Sequence, residues 1–226
     1  MENGGDSTAK IKYCSLGDAP LKEIEDLLTH GFAKDASFLV LCRNCEGGQP
    51  EDHRPWVKAV ISTHDWRVSR VAVDAATGAV AGVCLCDIFT ADRPTRSLEP
   101  LMQCDTEACR LLTNYLHQIE GDYDVLKALA VDKALYLSMV AVDERYRRQG
   151  ISLELRRQCL ELGRQQGCQA VVDVAISPFT RKALTKLGFE RVKFVPFTQS
   201  VLAGVEKVDL SGCGPDDGAA LMVRRL

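Results

Sequence analysis

Six arginines crowd one stretch of an otherwise slightly acidic chain. Arg145, Arg147, Arg148, Arg156, Arg157 and Arg164 stand against Glu154 and Glu161, a local excess of +4 in 226 residues whose net charge is −3. Such a concentration points to a polyanionic ligand. Its centre, Arg147-Arg148-Gln149-Gly150-Ile151-Ser152, lies between an apolar strand expected over 134–142 (ALYLSMVAV) and a helix expected over 152–166. Backbone N–H groups turning into a helix N-terminus form a concave seat for phosphate oxygens. Gly150 lets that backbone approach a ligand closely. On charge and periodicity alone, a solvated basic helix start with a turn glycine fits equally well.

Other reactive residues point to less. Cys42-Arg-Asn-Cys45 is a single C-x-x-C followed by His53 and His64, but no second C-x-x-C completes a zinc pattern. The histidines (30, 53, 64 and 117) show no pairing with a nucleophile, and the elbow motif of a triad hydrolase is missing. Phe32, Phe38, Trp56 and Trp66 suit the lining of an acceptor pocket, and core packing accounts for them as well.

The surrounding elements follow from hydrophobic periodicity. Residues 1–10 read as a disordered tail and 11–226 as one domain. Asp18 and Pro20 suit a helix start, with Leu21, Ile24, Leu27, Leu28 and Phe32 on one face. Residues 43–65 read as an irregular loop. Strands over 67–74 and 79–89 flank Thr77-Gly78 and form a hairpin. A helix is expected over 106–121. After the 152–166 helix and its Gly167 cap come a strand (170–176), a short helix (177–187) stopped by Gly188, and strands over 190–197 and 220–224. The order is a hairpin and then β-α-β-α-β-β, a mixed α/β sheet.

Composition removes several function classes. A net charge of −3 argues against a dedicated nucleic-acid binder. No charge-free apolar run nears the roughly 18 residues of a membrane span, and the MENGGDSTAK start is unlike a signal peptide. Ten cysteines in this length fall below disulfide-scaffold density, so we expect reduced thiols and a cytoplasmic monomer.

The run VAVDERYRRQGIS resembles motif A of the GNAT superfamily of acyl-CoA-dependent N-acyltransferases, whose loop reads Arg/Gln-x-x-Gly-x-Gly/Ala. Arg147, Gly150 and Ser152 fill those positions, with Ser in place of the last small residue. KLGFERVKFVPF is similar to motif B, marked by Gly188-Phe189. The resemblance covers roughly residues 10–226. The spacing of the two motifs, FAKDA at 32–36 and the ending GAALMVRRL most resemble the arthropod-type arylalkylamine N-acetyltransferases. VAVDERYRRQG is also similar to the loop of the vertebrate enzyme that acetylates serotonin.

The resemblance implies a GNAT-type mixed sheet of six to seven strands flanked by helices, with acetyl-CoA as co-substrate and no metal. It implies that Val140, Ala141 and Val142 present a backbone edge to the pantetheine arm, as an added strand would pair. Backbone amides of Arg148, Gln149, Gly150, Ile151, Ser152 and Leu153 would cradle the pyrophosphate beside Arg147. An amide near 139–141 would face the thioester oxygen.

The implied reaction is direct attack by a small primary amine. With a pKa near 10, only about one such molecule in a thousand is neutral at pH 7, a deficit of roughly 4 kcal/mol. The arthropod-type enzymes carry a Glu after the Asp of the FAKDA-like segment as the proposed base. Here that position is Ala36, leaving Asp35, a residue of another loop, or a water path toward Asp143. Leu184 stands where the superfamily's acidic Tyr is usual, so Ser177 and Thr180 are the hydroxyl candidates, Ser177 suiting a helix cap. The alternatives are a weakly active or inactive acyl-CoA-binding relative, or an acetyltransferase for polyamines, agmatine or a protein lysine.

Overall fold

The computed structural model describes residues 10–32, 41–93, 102–121 and 123–226. Seven strands form one sheet: β1 (Ile11–Ser15), β2 (Arg70–Asp74), β3 (Val80–Thr90), β4 (Lys133–Val142), β5 (Ala170–Ala175), β6 (Glu190–Pro196) and β7 (Gly218–Arg225). Their order is β1-β2-β3-β4-β5-β7-β6. Every neighbouring pair is antiparallel except β4–β5. Among the described residues five α-helices of six residues or more cover the two faces: α1 (Leu21–Asp26), α2 (Arg54–Thr63), α3 (Glu107–Glu120), α4 (Ile151–Gln165) and α5 (Pro178–Lys186). The expected mixed sheet is present, with seven strands.

The two faces make two cores, because central strands of such a sheet are apolar on both sides. Ile24 of α1, Val57 and Val60 of α2, and Leu112, Tyr115 and Ile119 of α3 fill one. Ile151, Leu155 and Cys159 of α4 and Leu184 of α5 fill the other. In α4 those three recur on one stripe, as the sequence pattern requires. The helix lies close on the sheet at Gly82 of β3, where a Cβ would lie 3.2 Å from both Ile151 Cγ2 and Leu155 Cδ1. A larger residue there would push α4 off the sheet.

Four local expectations need correction. Strand β1 went unforeseen, because five residues beside a polar tail give too little alternation to detect. Asp18 does not cap α1: it ends a 3-10 turn, Leu16–Asp18, and the helix begins after Pro20 with no side-chain cap bond. The expected loop over 43–65 contains α2, with Trp56, Val57 and Val60 buried. Its proline misled the reading, since Pro55 sits in the first turn, where no N–H is needed. The thiols are not all free either, because Cys104 and Cys109 are joined by a disulfide at the entry to α3.

Candidate acyl-transfer cleft

The cleft originates in a bulge. Along β4, Leu85 faces Met139 but Cys86 faces Leu137, so Ser138 is an extra residue. A bulge bends its strand and disrupts pairing. Beyond it β4 stays paired with β3 as far as Val142, whereas its parallel pairing with β5 covers only Ala134–Leu137. One backbone edge of β4 is therefore left open from the bulge to Val142.

The open edge forms one wall of a cavity of about 620 Å³. Val140, Ala141 and Val142 line it, followed by Arg147, Arg148, Gly150, Ile151, Ser152 and Leu153 of the loop and first turn of α4. Ser177 and Thr180 come from α5 on the far side. Thus the structure brings together every expected site residue but two. Gln149 is exposed and is not part of the lining. Asp35, with Ala36 and Phe38, lies outside the described residues.

The loop is built for close backbone approach. Arg148 and Gly150 both take left-handed conformations, with φ of 63° and 78°. No side chain caps α4. Leu153 N and Glu154 N close onto Gly150 O, and the amides ahead of them are the ones left for a ligand. The preceding turn is pinned: Asp143 N donates to Ala81 O, and the Tyr146 hydroxyl donates to Asp74 Oδ2 at 3.0 Å.

The arginine cluster is less concentrated on the cavity than its number suggested. Arg145 pairs with Asp143, Arg157 with Glu154 and Arg164 with Glu161. Arg156 is buried, its Nε 3.7 Å from Asp173 Oδ2. Desolvation pushes the Asp173 carboxyl up to about 7 despite that neighbour. Only Arg147 and Arg148 of the six line the cavity, and Arg147 also donates from Nε to Val142 O. Lys182 and Lys186 on α5 add two cations from the far side of the cavity. Their i, i+4 spacing was visible in the sequence as a helix stripe, but nothing local tied it to the distant arginine loop.

The hydroxyls have distinct placements. Ser177 Oγ accepts from Thr180 N at 3.1 Å, the N-cap bond of α5. The two hydroxyl oxygens are 3.0 Å apart. Asp143, weighed above as the end of a water path, is held by Arg145, whose guanidinium lowers its pKa below the usual carboxylate range. A carboxylate stabilised in this way is a poor proton acceptor. No carboxylate or imidazole lines the cavity among the described residues. Trp56 is core and Trp66 is 62% exposed, so neither joins this cavity.

A bulged strand splayed from its parallel neighbour, beside a glycine loop opening a helix, is the arrangement that the resemblance to acyl-CoA-dependent acyltransferases implies. The chain belongs to the acetyltransferase (GNAT) family, whose model matches residues 43–189, and that family uses acetyl-CoA. Arylalkylamine N-acetyltransferase 2 from Aedes aegypti superposes with a TM-score of 0.79 at 21% identity, covering 96% of this chain and 99% of that one. The Drosophila melanogaster polyamine N-acetyltransferase that forms N-acetylagmatine gives a TM-score of 0.73 at 15% identity over 96% and 100%. The C-terminal condensation domain of Ebony, solved with β-alanyl-dopamine, gives 0.76 at 14% over 96% and 100%. At these identities the likeness is one of fold. No curated protein sequence matches the chain. Among the described residues, no helix is long and apolar enough to cross a membrane.

Proposed function

We propose that this chain transfers the acetyl group of acetyl-CoA to a small primary amine, of the arylalkylamine kind, by direct attack on the thioester. The observation that carries the reading is the cavity that joins the open β4 edge to the uncapped start of α4. The Val140–Val142 edge offers the N–H and C=O groups that pantetheine amides need. The amides of residues 148–153 hold the pyrophosphate, with Arg147 and Arg148 supplying charge. A backbone amide at 139–141 stabilises the oxyanion as the amine adds. Ser177 caps α5 and orients the Thr180 hydroxyl, which hands a proton to the departing thiolate while taking up the one the attacking amine gives up, directly or through water. Catalysis uses no metal and none of the cysteines.

Deprotonation of the amine falls to Asp35, or the reaction draws on amine that is already neutral. The absence of a carboxylate or imidazole from the described lining supports a second reading, a slow enzyme or an acyl-CoA-binding relative. Thiol release from acetyl-CoA over serotonin, tyramine, dopamine, agmatine and spermidine separates these. Turnover with the aryl amines supports the first reading. Turnover with agmatine or spermidine alone moves the acceptor class, and no turnover with any of them leaves the binding relative.

A further inference from the structure

Three thiols that catalysis does not use meet inside the second core. Cys84 and Cys86 alternate along β3 and so project to one face, where Cys159 of α4 packs over them. All three are fully buried, and their Sγ atoms lie within 4.8 Å of one another. Cys84 Sγ and Cys86 Sγ are 3.7 Å apart. A metal bonded to three sulfurs at about 2.3 Å in a plane holds them about 4 Å from each other. The 3.7 Å pair and the 4.8 Å limit on the other two separations bracket that spacing.

We propose that Cys84, Cys86 and Cys159 form a three-coordinate thiolate site for a monovalent soft cation, Cu(I). Coordination number decides the ion. Among the described residues no fourth His, Cys or carboxylate lies within 4.8 Å of all three. The buried His64, whose Nε2 has no hydrogen-bond partner, acts on Cys84 only electrostatically. Structural zinc almost always takes four ligands, whereas soft thiolates select Cu(I). Binding releases three thiol protons and leaves a net charge of −2 on the complex. Arg156, buried on α4 one turn before Cys159, sets a fixed positive charge within electrostatic reach of Cys84 and offsets part of it. The ion ties α4 to β3, and so anchors the helix whose first turn forms the glycine loop.

The test titrates the reduced full-length chain with Cu(I), without oxygen, against a chromogenic Cu(I) chelator. Cys42→Ser/Cys45→Ser serves as the background, which removes the other buried close thiol pair. One Cu(I) per chain should be taken from the chelator and should raise the melting temperature. Cys84→Ala, Cys86→Ala and Cys159→Ala in that background should each lose both effects. X-ray absorption on the unsubstituted chain, independent of any variant's folding, should find three sulfur ligands and no nitrogen. Two-sulfur coordination, no Cu(I) uptake, tighter binding of Zn(II) than of Cu(I), or uptake unchanged in all three alanine variants would each overturn the proposal.

Discussion

The hydroxyl of Tyr146 donates to Asp74 Oδ2 at 3.0 Å, tying the turn that precedes the glycine loop to the β2–β3 hairpin. Asp74 also accepts from the amides of Ala76 and Thr77, so one carboxylate organises both segments. The Ala76 amide most of all, then the Tyr146 hydroxyl and the Thr77 amide, lower its pKa against the opposing effect of desolvation. A depressed carboxylate stabilises the fold above its unfolded pKa, and this contribution fades as pH falls through the lowered folded value. Tyr146→Phe should therefore weaken acetyl-CoA binding several-fold while leaving kcat nearly intact. It should also lose stability chiefly above pH 4, which thermal melts at pH 3 and pH 7 would show. An unchanged KM for acetyl-CoA would mean that the loop holds its shape without this tie.

Asp143 is bound through both oxygens by Arg145 and titrates below the usual carboxylate range. Asp143→Asn keeps an acceptor for the Arg145 amide but removes the charge. The pH–rate profile between pH 6 and 8 should keep its shape in this variant. Loss of the rising limb would make Asp143 the base after all.

Thr180 and Ser177 should separate by readout. Thr180→Val removes the hydroxyl of a cavity-lining residue at nearly constant volume. If that hydroxyl protonates the thiolate, kcat should fall by about 10² or more, in the range of general-acid effects, with acetyl-CoA affinity unchanged. Ser177→Ala deletes the N-cap bond and should cost about 1 kcal/mol of stability with a smaller loss of rate. Equal kinetic losses in both variants would show that the pair acts as one unit.

The sequence was most informative where local pattern and function coincide. The strand-loop-helix from Lys133 to Gln165 was legible because apolar alternation, a glycine and a 3.6-residue stripe all agree there. Helix α2 was obscured by Pro55, and β1 by its brevity. The bulge at Ser138 had no local signal, since it exists only in the register between β3 and β4. For the same reason the meeting of Cys84 and Cys86 with Cys159 could not be read from two separate apolar runs. Charge counting overstated the site, because salt bridges along α4 and the burial of Arg156 are tertiary facts.

The base is addressed at residues 35 and 36. If amine deprotonation lacks an enzymic acceptor, log kcat/KM should climb with pH toward the amine's own pKa near 10. Ala36→Glu should then raise the rate near pH 7, within the roughly 10²–10⁴ range of a general base, and shift the rising limb downward. If Asp35 already serves, Asp35→Asn should lower the rate steeply and Ala36→Glu should add little. A profile flat above pH 7, with both variants like the parent, would place the base elsewhere.

Calorimetric titration of CoA into the parent chain and into Gly150→Val tests the site assignment most directly. Gly150 has φ of 78°, and an added Cβ meets no atom within 4 Å, so the variant's core is undisturbed. A β-branched residue is strained by about 1–3 kcal/mol in that conformation, and its side chain crowds the amides meant for the pyrophosphate. The parent should bind CoA, and the folded variant should bind about tenfold more weakly or worse, as a loss of about 1.4 kcal/mol requires. Equal CoA affinity in the two folded proteins would contradict the assignment of this loop and cavity to acetyl-CoA.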